Sequence, residues 1–443
     1  MINLAINGFG RIGRCIVRAL LEDEKLSKKM NILHINSPAN ANSSAHLLKY
    51  DSIHGVWPYE VEANETSIKI NNKTINHEYI IHTKNIQSFI KKFCKYLLSK
   101  YKGKVIAITG SVGKTTIKEN IYHILSKNNF SVSRSYKNYN NLLGLQFSIM
   151  NINLQNKYSI FELGINHPGE MKDLIKTLNP HYCLVTCIEN SHIGNFKNFN
   201  NLIKNKLDIF NSKNLIKGVL NFRHENMVLS NRINSKISPI NVDKIDKKVN
   251  KSKNFFKIDY FLNGNKNSIK SDLDGVYIDT AILSSIFLKK IRPLIKFNNY
   301  FLRESILESR GNLIIKHYKS KKLKIYDHSY NASPYSLKKQ LMIFKQRKLI
   351  HKLCIVGSMK ELGQDSINQH QKILKLLFNL NFFKTVLIGE EFYKHKRSFR
   401  MFKFYKTTQD YIKYMRKDFL KSKNIFVMGS RYYKLERIIN NVK

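Results

Sequence analysis

The chain has 443 residues, enough for about three domains of ordinary size. Hydrophobic residues make up 42% of it and aromatics 11%, which excludes a chain too polar to fold, and 7 prolines with 19 glycines exclude a collagen-like or proline-rich fibre. Lys and Arg number 76 against 31 Asp and Glu, a formal net charge of +45 that points first to a polyanion partner.

The basic residues are spread along the chain and gather in no tail or arm. Lys, Asn, Ile, Tyr and Phe are inflated together, as compositional drift would leave them. No nucleic-acid-binding motif accompanies the charge, so nucleic acid is not an expected partner. Cys15, Cys94, Cys183, Cys187 and Cys354 form no CxxC pair and no Cys/His zinc spacing, and free thiols in a reducing compartment are the default. No signal peptide is visible, and no apolar run approaches the ~20 residues of a membrane span. The expectation is a cytoplasmic chain without a membrane span.

In chain order, Asn3–Asn7 reads as an apolar strand, Gly8-Phe9-Gly10-Arg11-Ile12-Gly13 as a tight turn, Arg11–Leu21 as a helix and Asn31–Asn36 as a second strand. This is the β–GxGxxG–α–β context of a dinucleotide-binding unit, in which backbone N–H groups at a helix N-terminus approach a pyrophosphate. The wording INGFGRIGR, followed by AHLLKYDSIHG at Ala45–Gly55, resembles the NAD-binding segment of the glyceraldehyde-3-phosphate dehydrogenase family over about residues 1–80. The resemblance implies a truncated Rossmann-like unit. No Ser-Cys-Thr-Thr-Asn nucleophile segment follows, and Asn36-Ser37 stands where an acid would hold the adenosine ribose. Dehydrogenase activity is therefore not expected, and NAD is not an expected cofactor. The fragment is either a residual nucleotide binder or a structural cap.

Residues 81–300 change character. An amphipathic helix, about Asn85–Ser99, leads into the strand Lys104–Thr109, and Gly110-Ser111-Val112-Gly113-Lys114-Thr115-Thr116 opens another helix. Strand, glycine loop, Lys-Thr and helix make a phosphate-binding loop: N–H groups cradle phosphates, Lys114 reaches the β/γ-phosphates and the Thr115 hydroxyl suits Mg²⁺. The spacing departs from GxxxxGK[ST], since Ile108 stands five before Gly113. Residues 242–272 are Lys/Asn/Ser-rich and read as loop or degraded strand. From 301 onward, strands at Lys324–Asp327, Leu353–Gly357, Thr385–Gly389 and Ile425–Met428 alternate with helices at Ser336–Gln346, Gln369–Leu376 and Gln409–Asp418. That alternation predicts a second Rossmann-like α/β domain. The expected fold class is α/β, divided as 1–80, 81–300 and 301–443.

The string AITGSVGKTTIKE resembles the Mur ligase family of ATP-dependent amide-bond-forming enzymes. Further matches run in order to the end of the chain: YNNLLG (Tyr139–Gly144), FELGINHPGEM (Phe161–Met171), HIGNF from His192, IKNKLDIF around Lys206, DHSYNASPYSL (Asp327–Leu337), VGSMKELG (Val356–Gly363) and MGSRYYKLE (Met428–Glu436). The segment from Asp327 to Pro334 is most similar to the branch that joins D-alanyl-D-alanine to UDP-N-acetylmuramoyl-tripeptide in peptidoglycan precursor synthesis.

The resemblance implies ATP and two Mg²⁺ ions as cofactors. Those two compounds would be the substrates, and the chain would act as a monomer. It assigns Gly110, Ser111, Gly113, Lys114, Thr115, Thr116, Asn221, Arg310 and Asp327 to ATP. Thr115, Glu162, His192 and Lys206 fall to the metals, with Lys206 carbamylated into an anionic oxygen ligand. Asn140, Asn141, Tyr330 and Asn331 fall to the acceptor and donor substrates. Lys114, Lys206 and His192 would carry the catalysis. A carboxylate is a poor electrophile, and ATP would first convert it to an acyl phosphate that the acceptor amine attacks.

The sequence also departs from the family. The usual amino-terminal domain is replaced by the dehydrogenase-like fragment. Phe222-Arg223-His224 follows Asn221 where acids are usual, His328 replaces the second acid of an Asp-Asp pair, and Met428 replaces a lysine. A physical gene fusion, an artefact of gene assembly and a repurposed protein all fit these departures. The alternative function is a non-catalytic relic that retains nucleotide binding.

Overall fold

The computed structural model describes residues 2–52, 54–76, 85–136, 138–189, 193–223, 227, 233–252, 255–271, 276–297, 309, 311–319 and 321–442. The chain divides into two compact units, Met1–Ile90 and Lys91–Lys443. The helix Ile86–Lys100 runs across the join.

The first unit carries β1 (Ile2–Asn7), β2 (Met30–Asn36), a two-stranded ribbon of β3 (Tyr50–Asp51) and β4 (Gly55–Val56), and a meander of β5 (Val61–Ala63), β6 (Ser67–Ile70) and β7 (Lys73–Asn76). Its sheet runs β1-β2-β7-β6-β5, with β1 parallel to β2. The helix Arg11–Glu22 leaves the glycine turn as expected. Gly13 lets it lie close on the turn, because a Cβ there would come within 2.3 Å of the Gly8 carbonyl oxygen. Val17, Leu20, Ile32, Ile35, Leu48 and Trp57 close the core. Arg18 is buried because its guanidinium donates to the Leu48 carbonyl at 2.7 and 3.1 Å.

The second unit opens with a fully parallel six-stranded sheet: β8 (Lys104–Thr109), β9 (Val132–Arg134), β10 (Tyr158–Glu162), β11 (Tyr182–Val185), β12 (Lys217–Asn221) and β13 (Ile237–Ile240), in the order β13-β12-β11-β8-β10-β9. The central strand β8 is an almost continuous apolar run, as a strand buried on both faces must be. The chain winds from β8 outward to β9, back through β10, then across β8 to β11. That reversal opens a crevice at the carboxyl ends of the strands, where α/β sheets bind ligands.

Of the two readings of residues 242–272, loop or degraded strand, the strand reading holds for most of the described residues. They hold an antiparallel sheet of β14 (Lys247–Lys251), β15 (Phe256–Leu262) and β16 (Asn265–Ser271). The polar composition hid a period of two: in β16, Asn267, Ile269 and Ser271 are buried, and Ser268 and Lys270 between them are not. Ile258, Tyr260 and Ile269 join the core beneath the parallel sheet, together with Ile282, Ile286 and Phe287 of the helix Val276–Ile291.

The last sheet comprises β17 (Asn312–Tyr318), β18 (Lys321–His328), β19 (Lys352–Gly357), β20 (Lys384–Ile388), β21 (Lys403–Tyr405) and β22 (Asn424–Met428), in the order β17-β18-β22-β19-β20-β21. All its pairings are parallel except β17 with β18. Helices Pro334–Gln346 and Ser366–Leu380 cover one face through Leu337, Phe344 and Leu374. Helix Thr408–Lys421 covers the other through Tyr411 and Phe419. The four expected strands and three expected helices are present; all but one are longer than expected, by one to seven residues, and the strand expected at Thr385–Gly389 lies one residue earlier, at Lys384–Ile388. The edge strands β17 and β21 were not expected. Among the described residues, no helix is long and apolar enough to cross a membrane.

Candidate functional site

The carboxyl ends of β8, β10, β11 and β12 meet those of β18 and β22 around one cavity of about 360 Å³. The glycine loop forms its floor. Gly110 has φ +148, and a Cβ there would lie 2.0 Å from Thr186 Oγ1, so only glycine fits. The loop is pinned to the end of β11: Ser111 N donates to the Cys187 carbonyl at 2.7 Å, Ser111 Oγ to the Glu189 carbonyl at 3.0 Å, and Thr186 Oγ1 to the Val112 carbonyl at 2.5 Å. Gly113, at φ +86, then turns the chain into the helix Lys114–Lys127. That helix has no acid in its first turn and no side-chain cap, so its N-terminal N–H groups and partial positive charge are turned to the cavity.

Two lysines converge on one backbone oxygen. Lys114 Nζ donates to the Gly110 carbonyl at 2.8 Å, and Lys206 Nζ lies 3.5 Å from the same oxygen. Lys206 is only 2% exposed, on the helix Phe199–Leu207. Burial and then the Lys114 charge push its amine down to about 7, so a large part of it is neutral near neutral pH.

Beside them sits a carboxylate gripped on both oxygens. Glu162 ends β10 and is 2% exposed. Its Oε2 accepts from Thr115 Oγ1 at 2.8 Å and its Oε1 from Asn140 Nδ2 at 2.9 Å. Lys118 Nζ, fully buried, lies 4.0 Å from Oε2 and donates to the Ser135 carbonyl at 2.9 Å. Asn140 is wedged in place: a Cβ on Gly164 would meet its side chain at 2.8 Å. Asn141, by contrast, spends its oxygen capping the helix Leu142–Met150, accepting from Gly144 N at 2.8 Å.

The other sequence-derived residues are placed unevenly. Thr116 and Asn221 line the cavity, but Asn221 ties β12 to its neighbours, donating to the Thr186 carbonyl at 2.6 Å and accepting from Val242 N at 3.1 Å. Asp327 is buried, and its Oδ1 accepts from Ser329 N at 2.9 Å. Tyr330 and Asn331 line the wall opposite the glycine loop. His192 and Arg310 lie outside the described residues.

Several lining residues carried no role in the sequence. Arg223 donates to Glu189 Oε1 at 2.8 Å, pairs with Asp243 Oδ2 at 2.7 Å, and donates to Tyr335 Oη at 2.6 Å from 3.7 Å above its ring. Tyr335 belongs to the last sheet's helix, so this cluster fastens the two sheets' layers across the cavity. Lys339, one turn further on, pairs with Asp279 and with Asp243 at 3.5 Å. The one sequence signal was Arg223 in a segment where acids are usual. His328 is buried beside Phe426 and Tyr277, and burial, with Arg347 adding to it, pushes its imidazole down to about 3. It therefore stays neutral.

The Mur ligase middle domain family matches residues 108–286, which take in the glycine loop, Glu162 and Lys206. The NAD-binding domain of glyceraldehyde 3-phosphate dehydrogenase matches residues 2–89. A UDP-N-acetylmuramoyl-tripeptide–D-alanyl-D-alanine ligase of Rickettsia prowazekii is 29% identical over 393 residues, covering 84% of each chain. Among solved structures, a MurF from Acinetobacter baumannii has a TM-score of 0.71 at 20% identity over 82% of each chain. The MurF ligase of Thermotoga maritima, solved with ADP, has a TM-score of 0.70 at 17% identity and covers 99% of this chain and 93% of its own. The two structures are alike in fold. The Mur ligase resemblance of the sequence thus holds, and so does the dehydrogenase resemblance of its first residues.

Proposed function

We propose that the chain is an ATP-dependent ligase that joins D-alanyl-D-alanine to UDP-N-acetylmuramoyl-tripeptide through an acyl phosphate. It would act as a cytoplasmic monomer in peptidoglycan precursor synthesis. The observation that carries the reading is the convergence of Lys114, Lys206 and the Thr115–Glu162–Asn140 group on the cavity that Tyr330 and Asn331 close from the other side. We keep the division 1–80, 81–300 and 301–443, with ATP held mainly by the middle segment.

The loop N–H groups and Lys114 would hold the β- and γ-phosphates and spread the charge of the transferring phosphoryl group. The oxygens of Thr115 and Glu162 are hard donors already 2.8 Å apart, and they fit Mg²⁺. When bound, Mg²⁺ would neutralise the phosphates against the donor carboxylate. Lys206 is a buried amine that shares the Gly110 carbonyl with the Lys114 cation, a poor place for an ammonium ion and a good one for a neutral nucleophile. Its neutral form can take up CO₂ and become an anionic carbamate, and that change of sign supports a role for Lys206 at the second metal beside His192. Asn140 holds Glu162 in orientation. Asn141 would position substrate through its free amide edge, Asn221 and Asp327 would bound the nucleoside side, and Arg310 would face phosphate.

The experiment is turnover by the full chain with ATP, Mg²⁺, both substrates and a Lys114→Ala control. Release of phosphate that needs both substrates and is lost in the variant supports the reading. Phosphate release equal to that of the control rejects it in favour of a nucleotide-binding relic.

A further inference from the structure

Arg431 follows β22, at the same carboxyl edge of the last sheet as Tyr330 after β18. Its guanidinium lies 5.2 Å from the centre of the Tyr330 ring, and both side chains line the cavity. The turn that presents it is tightly fixed. Gly429 packs against Gly357 so closely that a Cβ would meet its Cα at 2.6 Å, and Ser430 N donates to the Ser358 carbonyl at 3.3 Å. Among the described residues no carboxylate pairs with this guanidinium, whereas Arg223 across the cavity is held by two. Arg431 is thus a planar cation at the cavity wall, held by an aromatic face and left open on its hydrogen-bonding edge.

A second donor points into the same space. Gln340, on the helix Pro334–Gln346, is 3% exposed and lines the cavity, yet its Nε2 has no hydrogen-bond partner among the described residues. An amide N–H₂ buried without an acceptor is costly, and a bound oxygen recovers that cost.

We propose that Arg431 binds the terminal carboxylate of the acceptor dipeptide and that Gln340 donates to its peptide carbonyl. The assignment rests on the ligase reading and deepens it by naming what selects the acceptor. A dipeptide brings one free amine to react and one carboxylate that must not. An arginine fork over Tyr330 would hold that carboxylate away from the phosphates gathered by Lys114. It would also exclude acceptors that lack the charge, because the guanidinium would then be covered without a partner.

The test compares D-alanyl-D-alanine with its carboxyl-terminal amide, on the full chain loaded with ADP and Mg²⁺. Calorimetry measures binding, and steady-state turnover measures KM for acceptor and for ATP. Wild type should bind the acid about 10- to 100-fold more tightly than the amide. Arg431→Ala should raise the acceptor's Kd and KM by that factor, leave KM for ATP unchanged and bring acid and amide level. Arg431→Lys should restore part of the preference, and Gln340→Leu should weaken acid and amide equally. Equal binding of acid and amide by wild type, binding of neither, or a preference that survives in Arg431→Ala overturns the proposal. Failure of the ligase reading looks different: wild type then shows no ATP cleavage dependent on the UDP-linked tripeptide, even without acceptor.

Discussion

Thr115 and Glu162 stand 47 residues apart in the chain and meet at 2.8 Å, hydroxyl to carboxylate, at the base of the cavity. The first residue comes from the turn that opens a helix and the second from the end of the neighbouring strand, so the parallel pairing of β8 with β10 sets their spacing. Asn140 secures the other carboxylate oxygen. A glutamate held so firmly serves better as a fixed oxygen ligand than as a mobile base. Glu162→Gln keeps the shape and loses the charge. It should lower kcat about 10²- to 10³-fold and weaken Mg²⁺ activation, while circular dichroism stays unchanged. An unchanged Mg²⁺ dependence would remove Glu162 from the metal site.

Lys206 makes a second prediction. Its buried amine, pushed down to about 7 beside Lys114, should carry a carbamate when CO₂ is present. Supplying ¹³C-bicarbonate should give a carbamate carbon resonance in wild type that is missing in Lys206→Ala. Activity of Lys206→Ala should be partly restored by short carboxylic acids that occupy the vacated space. A resonance that persists in the variant would assign the modification elsewhere.

His328 sets a pH limit. Its folded-state value, lowered to about 3, lies below the unfolded 6.5, so the unfolded chain binds the extra proton between these values. Stability should therefore fall on acidification through that window, by about 2 kcal/mol from this residue at pH 5. His328→Asn should show a flatter decline between pH 7 and pH 4, read as the difference in thermal midpoint from wild type. Parallel declines would contradict the assignment.

The first unit makes a negative prediction. A dinucleotide lies in a crevice between the first strand and a neighbour on its far side. Here β1 is the edge strand of its sheet, and Asn36 donates to Asn7 Oδ1 at 2.7 Å at the strand ends. The glycine turn is intact, but the second wall is missing among the described residues. Calorimetry with NAD should show no binding tighter than about 1 mM. A micromolar Kd would restore a cofactor role to this unit.

The parts of the fold legible in the sequence are those whose pattern is local. The strand Lys104–Thr109 announces itself as an apolar run, and the glycine loop fixes the helix that follows. The sheet β14–β16 was hidden because its inward positions include Asn267 and Ser271, so a period of two was written in polar letters. The site divided in the same way. Thr115 and Glu162 sit in recognisable strings, whereas Arg223 meets Tyr335 across 112 residues and nothing near either predicts the encounter. Arg431 stood in a quoted motif, but its meaning depends on the ring of Tyr330, which only the pairing of β18 with β22 brings close.

The central claim is that ATP activates a carboxylate as an acyl phosphate, and oxygen transfer tests it most directly. The UDP-linked tripeptide is labelled with ¹⁸O in its reacting carboxylate and incubated with ATP, Mg²⁺ and D-alanyl-D-alanine, and the released phosphate is weighed by mass spectrometry. Attack of the carboxylate on the γ-phosphorus, followed by expulsion of phosphate by the amine, leaves one substrate oxygen on each phosphate released. The account predicts one ¹⁸O per phosphate, matched by one amide formed. Phosphate released without ¹⁸O would contradict it.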